Sequence, residues 1–169
     1  FADRIITETH KYTVCYKPNS AFFEAHGPAG LEALKKIIDH IPEEIPVLLD
    51  AKRSDIGNTA RAYARAVYEY YGVDAVTLNP YLGRESVDPF LEWKERGVFA
   101  LCRTTNPGAA IFKEKEIMTE KGPRAYYLYI AEVMASWSEN LGLVVPGNKT
   151  GPLKKVRDLL PLAWFLAPG

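Results

Sequence analysis

The sequence predicts an α/β protein built on a parallel sheet, and three observations carry that reading. Short apolar runs rich in β-branched and aromatic residues alternate with longer stretches of helical spacing along the 169 residues. Most of those runs are apolar throughout, which suits strands covered on both faces. Polar residues gather just after them: Lys17, Asp50, Lys52, Asp55, Asn79, Thr104 and Thr105. Chemistry collected at the C-terminal ends of strands is shared by barrels and open α/β sheets.

Ala2–Lys11 reads as a helix leading into a first strand at Thr13–Lys17 (TVCYK). Leu31–His40 places Leu31, Leu34, Ile37 and Ile38 at helical spacing, and Pro46–Asp50 (PVLLD) gives the second strand. Thr59–Tyr71 aligns Ala62, Ala66 and Tyr70, and its aromatic residues are expected to pack the helix rather than bind a base. Ala75–Leu78 (AVTL) and Val98–Cys102 (VFALC) are the next strands, and Ala125–Leu141 is the longest helical stretch. Gly142–Val145 (GLVV) and Ala163–Ala167 (AWFLA) complete the series. The unbroken alternation makes residues 1–169 one domain with parallel strands. Periodicity alone leaves an open doubly wound sheet and a closed barrel both standing. No GxGxxG follows the first strand, which counts against a dinucleotide-binding module.

Lys plus Arg equals Asp plus Glu, 21 each, so net charge argues for neither nucleic acid nor an anionic membrane as partner. No apolar run reaches the length of a membrane span, and no signal-peptide h-region is present. Cys15 and Cys102 sit in apolar runs without a CxxC partner, so buried free thiols and a reducing cytoplasm are expected. His10, His26 and His40 are scattered, and no Asp/Glu/His set has metal-ligand spacing.

The informative stretch is Leu48–Ala60, LLDAKRSDIGNTA. If the strand stays extended past Asp50, Lys52 projects from the same face. Asp55 falls near the start of the next helix, and Lys17 closes the preceding strand. Two lysines and two aspartates could then meet in one small space, each carboxylate favouring the charged form of its neighbour and fixing it by charge-assisted hydrogen bonds. The same residues also admit a plainer reading, with Asp55 or Asn58 capping a helix and the lysines solvated.

DAKRSDIGNTA resembles the DxKxxD signature of the orotidine 5′-phosphate decarboxylases, with DIGNTA its more specific part. YKPNSAFFEAHG, VTLNPYLG, CRTTNPGAAIF and the final WFLAPG resemble further segments of that family, in the right order. The resemblance implies a (β/α)8 TIM barrel, and loss of CO2 from C6 of a pyrimidine nucleotide to give UMP without metal or cofactor. It implies that Lys52 protonates C6, with Asp50 and Lys17 beside the departing carboxylate. Asp55, Ile56 and Thr59 would reach into the other subunit's site of a homodimer. Thr104 and Thr105 would bind the pyrimidine, and Asn19 the ribose or phosphate, although the NPG tripeptide and helix capping offer plainer roles. Pro168 would open the phosphate-closing loop, while Asn79-Pro80-Tyr81 is expected to be loop structure.

Set against the family pattern, the first and eighth strands are missing, with a ribose-binding aspartate and the basic phosphate contact. The chain, which starts at Phe1, is therefore expected to be part of a longer barrel and inactive or nearly so by itself. Three other readings compete. One is a phosphosugar lyase or synthase of the same superfamily that holds Mg2+ with these carboxylates, against which DIGNTA and TTNPG speak. Another is an inactive truncated barrel that keeps only its dimer surface, and the last is the NAD-binding module.

Overall fold

The computed structural model describes residues 1–169. Helix α1 (Ala2–Thr9) runs on through a 3-10 turn at His10–Tyr12, and α2 (Ser20–Glu24) and α3 (Gly27–His40) precede strand β1 (Leu48–Arg53). Helix α3 begins at Gly27 rather than Leu31, with Pro28 in its first turn, where a missing amide hydrogen costs nothing. Helix α4 (Gly57–Arg65) continues as a π-helical turn, Ala66–Tyr71, and stops at Gly72, whose φ of +73° closes it. Next come β2 (Ala75–Leu78), α5 (Asp88–Leu91), β3 (Gly97–Leu101) and α6 (Ala109–Lys113). The chain continues through β4 (Glu116–Thr119), β5 (Gly122–Ala125), α7 (Tyr126–Ala135), β6 (Leu141–Val144), α8 (Thr150–Leu159) and β7 (Phe165–Leu166).

Five strands form one parallel sheet in the order β1-β2-β3-β6-β7. That order follows the chain without reversal, whereas a doubly wound sheet reverses at its switch point. Right-handed crossovers then place every connecting helix on one face, which is the winding of a (β/α)8 barrel. The chain forms part of a barrel of this kind. One apolar cluster joins sheet and helices, setting Leu49, Val76, Val98 and Leu143 against Leu34, Val67, Phe90, Met134 and Val156. No helix is long and apolar enough to cross a membrane.

Four local expectations are corrected. Thr13–Lys17 is not a strand, although Tyr16–Asn19 lies along β1 through two isolated parallel bridges, Tyr16 to Val47 and Asn19 to Asp50. The Tyr16 amide donates to the Pro46 carbonyl (3.0 Å), and the Pro18 carbonyl accepts from the Asp50 amide (2.9 Å). Pro18 has no amide hydrogen to give in return, so the ladder cannot continue. Cys15 is exposed on this outer edge, while Cys102 is buried as expected. The hairpin β4–β5 was not anticipated, its segments being short and half-exposed, with Gly122 (φ +96°) supplying the turn. Finally, α7 ends at Ala135 rather than Leu141, and Ser138 Oγ accepts from the Asn140 amide in the turn that follows.

Candidate active site

Strand β1 carries its charges through a distortion. Leu49 pairs with Val76 and Arg53 with Leu78, so Asp50, Ala51 and Lys52 on β1 stand opposite Thr77 alone on β2. Lys52 lies in the left-handed region at φ +47°, a conformation that costs a non-glycine residue about 1–2 kcal/mol. The bulge takes the amides of Ala51 and Lys52 out of the ladder, and both donate instead to Thr77 Oγ1, each at 3.0 Å. Asp50 and Lys52 do share a face, as the sequence suggests, but through this bulge rather than plain extended backbone.

Asp50 is the hub. Its Oδ2 accepts from Lys17 Nζ at 2.9 Å, and its Oδ1 accepts from Lys52 Nζ at 2.5 Å and from Thr77 Oγ1 at 2.9 Å. The residue is buried, with Lys17 and Lys52 partly open to solvent. Burial pushes the Asp50 carboxyl up, but hydrogen bonds from Lys17, Lys52 and Thr77 outweigh it and hold the group below the usual carboxylate range. Two ammonium groups against one carboxylate leave this spot with one surplus positive charge in a chain of zero net charge.

These groups line a cleft of about 450 Å3 across the C-terminal strand ends, together with Leu101, Thr104, Thr105, Asn106, Val144, Leu166 and Pro168. Thr104 and Thr105 follow β3, and Thr104 Oγ1 donates to Asn106 Oδ1 at 2.6 Å. Their loop is pinned from beneath by Arg103, which is fully buried and donates to the Thr104 carbonyl and to Glu114. Pro168 is brought in by Gly147, whose amide donates to the Pro168 carbonyl at 2.8 Å. A Cβ on Gly147 would lie 2.5 Å from the Ala167 carbonyl oxygen and 2.8 Å from that of Pro168, so only glycine permits this approach.

Four expected site residues do not line the cleft in this chain. Asp55 Oδ1 accepts from the Ile56 amide at 2.8 Å, so Lys17, Asp50 and Lys52 meet without it. Ile56 and Thr59 are exposed at the start of α4, outside the cleft. Asn19 Oδ1 accepts from the Ala21 amide at 3.1 Å and caps α2, which is the plainer of its two readings. In the other direction, sequence reasoning missed Thr77 and Arg103. A lone threonine in an apolar strand and an arginine after one give no signal by themselves. Thr77 matters through bonds to β1, and Arg103 through bonds to Glu114 and the adjacent carbonyl.

The chain is similar to known proteins over nearly all of its length. The model of the "Orotidine 5'-phosphate decarboxylase / HUMPS family" matches residues 2–169. The chain belongs to that family. A protein of Halorubrum lacusprofundi named orotidine 5′-phosphate decarboxylase is 44% identical over 172 residues, covering all of this chain and 59% of the relative. The solved structure of Leishmania donovani OMP decarboxylase superposes with a TM-score of 0.94 at 40% identity, covering 99% of this chain and 67% of that one. Leishmania donovani UMP synthase gives the same TM-score and identity, with 38% of its length covered. The chain thus spans about three fifths of the length of the curated relatives it matches, and the family's barrel is the fold seen here.

Proposed function

We propose that the protein carrying this chain decarboxylates orotidine 5′-phosphate to UMP, the last step of pyrimidine nucleotide synthesis, and that Lys52 supplies the proton. The reading rests on one observation, the buried Asp50 carboxylate held between the Lys17 and Lys52 ammonium groups on the floor of the cleft. The relatives' names point to the same reaction.

In the reaction the bond from C6 to the carboxylate breaks, CO2 leaves, and the electron pair stays on C6. Lys52 Nζ then gives a proton to C6 and regains one from solvent. The difficult species is the carbanion-like C6, whose ring has little means of spreading the charge. An ammonium already fixed beside it needs no reorganisation and acts where charge develops, in the transition state. Asp50 fixes that ammonium, and its own charge sits beside the departing carboxylate, opposed by Lys17. Thr104 and Thr105 bind the pyrimidine from the rim, and Pro168 stands where the phosphate-closing loop would begin. Asn19 is assigned to the ribose or phosphate through its amide NH2, its Oδ1 being used in capping.

The working unit is a cytoplasmic homodimer in which Asp55, Ile56 and Thr59 serve the neighbouring site. The exposure of Ile56 and Thr59 at the start of α4 supports the dimer, and two free cysteines fit a reducing compartment. No metal or cofactor enters. A Mg2+-dependent reaction would require Asp50 to release the ammonium groups on both of its oxygens.

The test follows the ultraviolet absorbance change of orotidine 5′-phosphate with the protein and with Lys52→Ala. Decarboxylation by the parent and a loss of at least about a thousandfold in the variant is expected, a little over 4 kcal/mol of transition-state stabilisation. A parent rate abolished by chelator and restored by Mg2+ would replace this reading with the phosphosugar one.

A further inference from the structure

The left-handed Lys52 is held in place by a residue that belongs to neither the charged array nor the substrate-binding set. Thr77 is buried, and its hydroxyl has one hydrogen to give and two lone pairs to accept with. All three are used. Oγ1 accepts from the amides of Ala51 and Lys52, both at 3.0 Å, and donates to Asp50 Oδ1 at 2.9 Å. The two amides are those the bulge removes from the β1–β2 ladder. The carboxylate oxygen is the one that also receives Lys52 Nζ at 2.5 Å. A single hydroxyl therefore ties the backbone of Lys52 to the carboxylate that orients the Lys52 side chain.

We propose that Thr77 is a positioning residue that sets Lys52 against Asp50 by capping the β1 bulge. This rests on the decarboxylase reading, because it takes Lys52 as the proton donor to C6. An apolar residue in its place would leave the two half-buried amide bonds without their acceptor and remove one of the three donors on Asp50. The bulge would then relax toward ordinary strand pairing. Lys52 would lose its fixed direction while the pyrimidine-binding rim, on other strands, stays as it is. The effect falls on the chemical step rather than on substrate affinity.

The experiment compares Thr77→Val, close to threonine in shape without the hydroxyl, with Thr77→Ser, which keeps the hydroxyl without the methyl. Two readouts are taken: kcat and KM for orotidine 5′-phosphate, and the carbon-13 NMR titration of the Asp50 carboxylate without ligand. The charged groups on that carboxylate are Lys17 and Lys52, left intact in every variant. In T77V, kcat should fall by about tenfold or more, equivalent to 1.4 kcal/mol, with KM little changed. The Asp50 midpoint should rise, and T77S should restore both. If T77V does not fold, Thr77→Cys, with only a weak hydrogen-bonding group, replaces it under the same expectations. Wild-type kcat and an unmoved midpoint in T77V would overturn the proposal. So would T77S behaving like T77V, since the methyl would then be what matters. If wild type and Lys52→Ala are equally inactive, the decarboxylase reading and the catalytic role fail together. The Asp50 midpoint then still decides whether Thr77 holds the carboxylate.

Discussion

At Asp50, burial and hydrogen bonding pull in opposite directions, and the outcome sets how stability depends on pH. Its folded pKa is depressed relative to an unfolded value of about 3.9. The unfolded chain then takes up the proton first as pH falls, so the stability Asp50 contributes is present above the unfolded value. It is lost as pH falls through the folded one. Asp50→Asn removes the negative charge and turns one of the two acceptor oxygens into an NH2 donor, so either Lys17 or the Lys52 and Thr77 pair loses its acceptor. It is expected to cost about 1–3 kcal/mol at pH 7. Urea unfolding at a series of pH values checks this. The gap between parent and variant should begin to close below about pH 4, where the unfolded chain takes up its proton, and finish closing only as pH falls through the lower folded value. A gap of constant size down to pH 2 would mean that shape rather than charge is at stake.

The elements of the barrel differ in how plainly the sequence announces them. AVTL, VFALC and GLVV are continuous apolar runs, and β2, β3 and β6 fall on them within a residue or so. TVCYK has the same composition but lies on the sheet's edge beside Pro18, where pairing breaks. The left-handed Lys52 and the bulge around it were hidden altogether. They depend on Thr77, 25 residues away, accepting two amides that local spacing places in a regular ladder. Lys17, Asp50 and Lys52 were legible as charges closing apolar runs, a pattern that solvated charges also produce, and it was the DxKxxD resemblance that singled them out. Gly147 shows what an element's end demands of its neighbour. Giving it a Cβ forces the Ala167 and Pro168 carbonyls outward, since both obstacles are backbone. Gly147→Ala should therefore move Pro168 off the cleft and raise the Kd for UMP by about tenfold or more, about 1.4 kcal/mol. Titration calorimetry reads this, and unchanged affinity would show that Pro168 does not border the bound nucleotide.

At the level of the whole molecule, the question is what completes the array around Lys52. Within one chain Asp55 is turned to the Ile56 amide, and Ile56 and Thr59 face outward at the start of α4. A two-fold dimer can use such residues reciprocally, each subunit lending its α4 start to the other's cleft. Each site would then take Lys52 from one subunit and Asp55 from the other. Lys52→Ala and Asp55→Ala should each be nearly inactive as homodimers. In a hybrid of the two, one site receives both substitutions and the other receives neither. Random exchange between equal amounts makes half of the dimers hybrids, so about a quarter of all sites become intact by the symmetry of a two-fold pair. Mixing the two inactive variants should thus recover about a quarter of the wild-type rate, again by that symmetry, on the timescale of subunit exchange. If Lys52 and Asp55 serve the same site from one chain, no mixture can contain an intact site. The recovered rate then separates a shared site from a self-contained one without any need to see the dimer directly.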